Sequence, residues 1–359
     1  MKILIFTNHS YMLYQFRKEL ITKLQAQHEV VLSMPFVGHE ADFHAMGLRC
    51  IETKIDRRGM NPKTDLKLLQ TYRKILRQEH PDLVITYSIK PNIYAGMICA
   101  AMSIPYAANV QGLGTAFQKA GLAQFVTVLY RFALRKSKIV YFENKRNAQE
   151  FLDRGIIPDR KVVVLPGAGI NLNEYPPVSY PDHSNIRFLY LGRIMKEKGM
   201  DELFSAMRRL YAELGERVHL DLVGFFDDDY EAEIQALVAD GIADFHGFQT
   251  DPRPYYANAD CVILPSYHEG LSNVLLEAAA TGRPVITTDI HGCKETVDPG
   301  VSGLLCHVQD ADSLYRQMRT MASLSPVQRR DMGLAARKKV EREFEKQTVV
   351  DETLKALGL

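Results

Sequence analysis

The sequence has 359 residues, of which 46% are hydrophobic and 24% are charged. A chain of this length exceeds the size at which one hydrophobic core usually stops growing, so we expect two domains. No stretch reaches the roughly 18 apolar residues that a membrane span needs, which predicts a cytoplasmic protein. The five cysteines form no C-x-x-C pair, which favours reduced thiols over disulfides or a zinc site.

The net charge of +1 conceals two halves of opposite sign. Residues 1–180 contain 24 Lys and Arg against 14 Asp and Glu, whereas residues 181–359 contain 20 against 29. A basic half can meet nucleic acid, an anionic membrane surface or a phosphorylated substrate. The sequence contains no nucleic-acid module and no interleaved run of aromatic residues, so we predict no nucleic-acid partner.

Apolar runs alternate with amphipathic stretches through the first half of the chain. The runs that predict strands are residues 2–6, 29–33, 49–52 and 82–86, and the stretches that predict helices are 14–25 and 63–79. This alternation predicts βαβ units and a parallel sheet, with the site at the carboxyl ends of the strands. The first loop, residues 7–10, lacks the glycine fingerprint of a dinucleotide-binding turn, which argues against a dehydrogenase.

Two later loops of this half carry candidate binding groups. Lys90 lies at a strand end directly before a helix, and Gly112 follows the strand 107–110, where glycine lets a backbone approach a ligand closely. A surface lysine and a plain turn are the alternatives. The apolar helix 125–138 ends in four cations, which match the helix dipole and equally suit anionic lipid.

The proline-containing segment 173–184 is the best candidate for a linker. Beyond it, the strand 186–191 leads into a loop, Gly192 to Gly199, that precedes another helix. A cation-bearing loop at a helix start suits a diphosphate, with Arg193 forked onto its oxygens and Lys198 adding a point charge.

The acidic run 227–229 allows two interpretations. A divalent ion bound with a sugar nucleotide is one, and acids at the positive start of the helix 230–239 are the other. We adopt the helix-start interpretation and predict no metal. His246 and Phe248, in a short strand and loop, are candidates to contact a nucleotide base.

The most informative stretch is 267–277, where a polar loop joins a buried strand to a helix. Glu269 lies at the mouth of the loop, and Glu277 is the one polar residue of an otherwise apolar helix start. With a helix cap at Ser272 or Asn273, four residues would offer unpaired backbone donors for phosphate: Gly270, Leu271, Ser272 and Asn273. The stretch therefore predicts a site for a polyhydroxylated ligand with phosphate; two ordinary glutamates, one solvated and one snorkelling, are the alternative.

These motifs as a set resemble glycosyltransferase family 4. Glu269 and Glu277 match the E-x(7)-E motif of its retaining members, and Gly192-Arg193 with Glu197-Lys198-Gly199 matches their diphosphate-binding loop. Further stretches are similar to bacterial enzymes that build capsule, O-antigen or N-glycan precursors on polyprenyl diphosphate: Tyr14-x-Phe16-Arg17, Arg58-Gly59-x-Asn61-Pro62, Ile89-Lys90-Pro91-Asn92, Gly112-Leu113-Gly114 and Gly292-Cys293-Lys294-Glu295-Thr296-Val297.

The resemblance implies an α/β protein of GT-B architecture, in which two Rossmann-like, doubly wound parallel-sheet domains face a cleft. We expect an acceptor-binding domain over residues 1–172 and a linker over 173–184. A nucleotide-sugar domain would follow over 185–344, and a final helix, 345–359, would return to the N-terminal domain.

The resemblance also implies roles for individual residues. Glu277 would hold the ribose hydroxyls, Glu269 the hydroxyls of the transferred sugar, and Arg193 and Lys198 the diphosphate. Five residues form the expected acceptor side: His9, Arg17, Arg58, Lys90 and Gly112. Many relatives have a histidine where this chain has Gln111, so a histidine-centred account of the acceptor does not carry over.

The implied activity is retaining, metal-independent transfer of a hexose or N-acetylhexosamine from a UDP-sugar to a polyprenyl-diphosphate-linked saccharide. No cofactor is expected, and the basic half would rest on the anionic inner face of the cell membrane. A UDP-sugar epimerase, which would turn over donor without acceptor, and a noncatalytic nucleotide-sugar binder remain the alternatives.

Overall fold

Runs of consecutive apolar residues form the strands of two parallel sheets. The computed structural model describes residues 1–56, 59, 61–113, 117 and 120–359. The chain divides into two compact units, one made of residues 1–168 and 347–359 and the other of residues 169–346. Each unit contains one of the sheets.

The sheet of the first unit has seven parallel strands. They are β1 (Lys2–Phe6), β2 (Glu29–Met34), β3 (Arg49–Glu52), β4 (Leu83–Tyr87), β5 (Tyr106–Val110), β6 (Ile139–Phe142) and β7 (Val162–Val164). Their order is β3-β2-β1-β4-β5-β6-β7, so the chain changes direction across the sheet between β1 and β4. Alternate residues of β1 enter different cores, Leu4 and Phe6 on one face and Ile3 and Ile5 on the other. Burial on both faces explains why these strands are apolar throughout.

The sheet of the second unit has six parallel strands. They are β8 (Ile186–Leu191), β9 (Val218–Val223), β10 (Ala243–Phe245), β11 (Cys261–Leu264), β12 (Val285–Thr288) and β13 (Gly303–Cys306). Their order is β10-β9-β8-β11-β12-β13, the order of a doubly wound nucleotide-binding fold. The reversal of strand order lies between β8 and β11, and this is where such folds bind ligands.

Helices connect the strands in both units. They are α1 (Ser10–Gln25), α2 (Glu40–Ala45), α3 (Pro62–Glu79), α4 (Gly96–Met102), α5 (Ala120–Leu134), α6 (Lys145–Asp153), α7 (Met200–Leu214), α8 (Glu231–Ala239), α9 (Arg253–Asn258), α10 (Asn273–Ala280), α11 (Ala311–Ser323), α12 (Pro326–Glu343) and α13 (Lys346–Leu357). Their starts follow sequence rules: Asn61 caps α3 ahead of a proline, and Ser325 and Gln328 form a capping box at α12. Within the described ranges, none of these helices is long and apolar enough to cross a membrane.

The last helix belongs mostly to the first unit. From Gln347 onward the chain is grouped with residues 1–168, and Val349, Val350 and Leu357 are buried in a core that includes Ile3 and Ile5. The Tyr141 hydroxyl donates to the Thr353 carbonyl at 2.7 Å.

The segment 173–184, which we expected to be a linker, is integrated into the second unit, and the division falls between residues 168 and 169. The buried Arg283 explains the difference, since its guanidinium donates to the carbonyls of Val178 and Ser179. The Tyr180 hydroxyl also donates to the Asp260 carbonyl at 2.7 Å. Proline content alone indicated a connection and could not reveal these anchors.

Candidate functional site

Six of the ten residues predicted to bind the donor lie in two loops of the second unit, at the carboxyl ends of the neighbouring strands β8 and β11. Residues 192–199 follow β8 and residues 265–272 follow β11. The Tyr267 N–H donates to the Glu197 carbonyl at 2.9 Å and thereby joins the two loops. The sequence separates these loops by about seventy residues, and the sheet topology brings them to the same point.

Two glycines allow this close approach of backbones. Gly199 has φ +76°, and a Cβ there would lie 2.2 Å from the Pro265 carbonyl oxygen. Gly292 has φ +92°, and a Cβ there would lie 2.6 Å from the Gly270 carbonyl oxygen. Any larger residue would clash with backbone atoms that have no room to move, so the glycines fix the shape of the site.

Lys198 and Glu269 form an ion pair across the two loops. The Lys198 Nζ lies 2.5 Å from Glu269 Oε1, and their side chains are only 16% and 14% exposed. The sequence assigned one residue to the diphosphate and the other to the transferred sugar. Their contact places the cation expected at the diphosphate beside the carboxylate expected at the sugar.

Arg193 is paired with Asp227, a residue of the acidic run that the sequence analysis assigned to a helix start. Its Nη1 donates to Asp227 Oδ2 at 2.7 Å, while 44% of the arginine side chain remains exposed. Asp228 accepts from the Lys196 backbone N–H at 2.9 Å. The acidic run directly precedes α8, whose N-cap is Tyr230, and two of its carboxylates also hold the loop after β8.

The start of α10 is capped by Ser272, whose Oγ accepts from the Leu275 N–H at 3.4 Å. The Ser272 N–H itself donates to the Gly292 carbonyl at 2.9 Å, so this amide is not one of the unpaired donors we expected. Leu271 is 7% exposed and packs against the core of the unit. Asn273 is the first residue of α10, three positions after Gly270, which lies in the loop.

Glu277, one turn into α10, is 6% exposed. Its Oε2 accepts from the Tyr256 hydroxyl at 2.8 Å, and the Tyr175 hydroxyl acts to lower the pKa of the same carboxyl. Burial penalises the charged form and raises the pKa of Glu277 to about 7. No sequence signal identified the two tyrosines, because they are distant in the chain from Glu277 and belong to no motif.

The two residues expected at a nucleotide base have different surroundings. His246 Nε2 lies 2.8 Å from Asp221 Oδ1, and Asp221 also accepts from Arg187. Phe248 is 53% exposed, and its ring meets that of Phe225 edge-on at 6.0 Å between centroids. His246 is therefore fixed by a carboxylate, whereas Phe248 offers an open aromatic surface.

One cluster with the composition of a metal site is present among the described residues. His219, Asp221 and Asp244 each offer an atom within 4.8 Å of the others. Arg187 contacts both carboxylates, with Nη2 at 2.6 Å from Asp221 Oδ1 and at 3.4 Å from Asp244 Oδ2. The guanidinium already supplies positive charge to this cluster, so it gives no reason to predict a bound cation.

The residues expected to bind an acceptor lie in the first unit, and two of their cations are paired. Arg17 Nη2 contacts Glu143 Oε1 at 3.0 Å, and Lys90 Nζ contacts Asp65 Oδ1 at 2.6 Å. Both side chains are largely buried, at 10% and 13% exposure. They stabilise the unit as much as they offer charge to a ligand.

The other residues predicted to bind the acceptor are His9, Gly112 and Arg58. His9 lies at the carboxyl end of β1, next to Asn8, whose Oδ1 accepts from the Ser88 hydroxyl at 2.8 Å and links the loops after β1 and β4. A Cβ at Gly112 would meet nothing within 4 Å, so space does not require glycine there. Arg58 lies outside the described residues.

Comparison with known proteins adds the family. Residues 2–144 match the family described as "Glycosyl transferase 4-like", and residues 185–323 match "Glycosyl transferases group 1". The chain is a glycosyltransferase with a family-4-like first region and a group 1 second region. This glycosyltransferase is 26% identical over 325 residues to N,N'-diacetylbacillosaminyl-diphospho-undecaprenol alpha-1,3-N-acetylgalactosaminyltransferase from Campylobacter jejuni, with 85% of each chain covered.

Solved structures of low identity share the GT-B fold of this glycosyltransferase. HepE from Anabaena, in complex with UDP and glucose, superposes with a TM-score of 0.83 at 18% identity, covering 100% of this chain and 99% of that one. Sucrose-phosphate synthase from Thermosynechococcus elongatus has a TM-score of 0.78 at 20% identity, covering 98% and 97%. These structures show the fold, and the function has to be argued from individual side chains.

Proposed function

We propose that this glycosyltransferase moves a hexose or N-acetylhexosamine from a UDP-sugar to a polyprenyl-diphosphate-linked saccharide, with retention of the anomeric configuration and without a metal. The observation that carries the proposal is the arrangement of Lys198, Glu269 and Glu277 where the strand order of the second sheet reverses. The name of the Campylobacter relative, which specifies an undecaprenol diphosphate acceptor, supports the choice of acceptor.

In this proposal, carboxylates and positively charged groups bind different parts of the donor. Glu277 accepts hydrogen bonds from the ribose hydroxyls, and Glu269 from hydroxyls of the transferred sugar. Lys198, Arg193 and the start of α10 face the diphosphate. Cleavage of the anomeric bond places negative charge on the departing diphosphate, so these cations and the helix start stabilise the transition state more than the ground state.

The base and the acceptor complete the proposed assignment. Phe248 stacks on the uracil, and the carboxylate-bound His246 lines the same pocket. On the acceptor side, His9 and Lys90 are the leading candidates, because each lies in a loop at the carboxyl end of β1 or β4, where the strand order of the first sheet reverses. Gln111 takes the place of the histidine of many relatives.

The membrane surface in the proposal is the outer face of α5. Phe125, Val128 and Phe132 are 60%, 45% and 57% exposed, and their spacing places them on one side of the helix. Exposed Arg135 and Lys136 follow at the end of the helix. An apolar stripe with adjacent cations suits the headgroup region of an anionic bilayer, so we propose that the enzyme associates peripherally with the inner face of the cell membrane.

The vesicle test separates the two contributions to membrane binding. Each phenylalanine contributes roughly 2 kcal/mol when buried. The affinity of the double variant Phe125→Ser, Phe132→Ser for anionic vesicles, measured by sedimentation, should therefore be at least thirtyfold lower than that of the wild type. Arg135→Gln with Lys136→Gln should weaken binding mainly at low salt. Val301→Ser, at a 60% exposed position in the second unit, serves as the control. Equal sedimentation of the phenylalanine variant and the wild type would contradict the α5 surface.

A transfer assay tests the function itself. A panel of UDP-sugars is incubated with a short-chain polyprenyl-diphosphate saccharide, with and without EDTA, and the product's anomeric configuration is read by NMR. We expect one α-linked product at a rate that EDTA does not change. Isomerised UDP-sugar in the absence of acceptor would instead identify an epimerase, and an intact donor with every acceptor a noncatalytic binder.

A further inference from the structure

The carboxylate of Glu277 lies inside a buried shell that no motif predicted. Tyr256, on α9, is 0% exposed and donates to Glu277 Oε2 at 2.8 Å. Tyr175 is 5% exposed, its hydroxyl favours the charged form of the same carboxyl, and its ring meets the Tyr256 ring edge-on at 6.3 Å between centroids. We infer that Tyr256 and Tyr175 are positioning residues, which orient the Glu277 carboxylate toward the donor ribose and keep it ionised.

Two arginines fix the tyrosines in turn through their backbones. Arg283 is 0% exposed, and its Nε donates to the Tyr256 carbonyl at 2.9 Å. Arg337 Nη1 donates to the Tyr175 carbonyl at 2.7 Å and to the Ala280 carbonyl, the last residue of α10, at 2.6 Å. The second arginine therefore ties one tyrosine directly to the helix that carries Glu277, so the hydroxyls and the carboxylate keep a fixed relative geometry.

This shell matters because the proposed role of Glu277 requires its charged form. A carboxylate accepts hydrogen bonds from two ribose hydroxyls, whereas the protonated acid offers one donor and loses acceptor capacity. Burial disfavours the charge, and the two tyrosine hydroxyls oppose this effect, Tyr256 through its hydrogen bond to Oε2. The other charged groups that act on Glu277 are Lys346, which favours the carboxylate, and Glu174, which disfavours it.

The inference rests on the proposed function, since it assigns Glu277 to the nucleotide. It adds that the affinity for UDP falls as pH drops through about 7, and that the tyrosine hydroxyls keep this midpoint from rising further. Removing one hydroxyl removes a hydrogen bond to a charged group, which corresponds to roughly a tenfold change and about one pH unit.

The test compares Tyr256→Phe with the wild type in UDP binding and sugar transfer from pH 5.5 to 9. The substitution keeps the ring and deletes only the hydroxyl. We expect the acidic limb of UDP affinity to move up by about one pH unit, the donor KM at pH 7 to rise roughly fivefold, and kcat at saturating donor at pH 9 to stay within twofold. Tyr180→Phe is the matched control, because this hydroxyl contacts the Asp260 carbonyl in the same unit and does not approach Glu277.

Further variants keep the result interpretable. Tyr175→Phe should shift the limb in the same direction, and Glu277→Gln should abolish the limb and weaken UDP binding at every pH. If Glu277→Gln leaves UDP affinity unchanged, the assignment of Glu277 to the nucleotide fails. If Glu277→Gln weakens binding while Tyr256→Phe, folded by circular dichroism, retains the wild-type limb, the positioning role alone is overturned.

Discussion

The two units contain similar sheets, yet the loops at their points of strand reversal differ in chemistry. In the second unit, after β8 and β11, Arg193 keeps 44% of its side chain exposed, and Lys198 is paired with a residue that itself belongs to the proposed donor site. In the first unit, Arg17 and Lys90 are largely buried against carboxylates of their own unit. The comparison teaches that the position of a cation at a strand end does not by itself tell whether its charge is open to a ligand or neutralised by a neighbouring carboxylate.

The largest effect should come from removing the cation of the second unit. Lys198→Ala deletes the charge proposed to stabilise the departing diphosphate, so we expect kcat for sugar transfer to fall roughly 100- to 1,000-fold. Initial rates at saturating donor provide the measurement. Lys196→Ala, in the same loop but 67% exposed and 3.5 Å from Asp201, should stay within about twofold. Equal losses of kcat in the two variants would contradict a specific role of Lys198 at the diphosphate.

The next largest effect concerns the stability of the protein and comes from the buried carboxylate of Glu277 in the second unit. The pKa of Glu277 is raised to about 7 in the folded protein from an ordinary value of 4.5. A raised pKa means that the folded protein binds the proton more tightly than the unfolded chain, so stability is lost as pH rises from about 4.5 through 7. The free energy of unfolding of Glu277→Gln relative to the wild type should therefore increase by roughly 3 kcal/mol between pH 4.5 and 8.

Urea unfolding at a series of pH values measures this difference. Asp312→Asn is the control, because that carboxylate is 67% exposed and its substitution should leave the pH dependence almost unchanged. A constant difference between Glu277→Gln and the wild type across the range would refute the raised pKa.

The smallest effect should come from the first unit. Arg17→Met removes the cation that faces the half-buried Glu143, which should lower the free energy of unfolding by roughly 1 to 3 kcal/mol. UDP affinity should stay within twofold, because the donor residues lie in the other unit. The double variant Arg17→Met, Glu143→Gln should recover part of the lost stability. A large loss of UDP affinity in the single variant would contradict this division of roles.

The sequence predicted the fold because its strongest signals are local. Apolar runs such as residues 186–191 and 2–6 predicted strands that the structure contains as β8 and β1. Glu269 and Glu277 were identifiable by spacing, because the intervening loop and helix start are a continuous segment.

The side-chain partners in the site could not be predicted, because they depend on contacts between distant segments. Asp227 reaches Arg193 across 34 positions, and Lys198 reaches Glu269 across 71. Tyr256 likewise belongs to no sequence motif, and only the position of α9 shows that its hydroxyl contacts Glu277. The same limit explains Lys90 and Arg17, whose positive charges were visible while Asp65 and Glu143 were not recognisable as their partners.

The membrane contact proposed for the exposed stripe on α5 would have a kinetic consequence. An enzyme held on a bilayer by Phe125, Val128 and Phe132 searches for its lipid-linked acceptor in two dimensions. Its rate then depends on how many acceptor molecules occupy each unit of surface area. Diluting the acceptor with inert lipid in the same vesicles should slow transfer, whereas doubling the number of identical vesicles should leave the turnover of each bound enzyme unchanged.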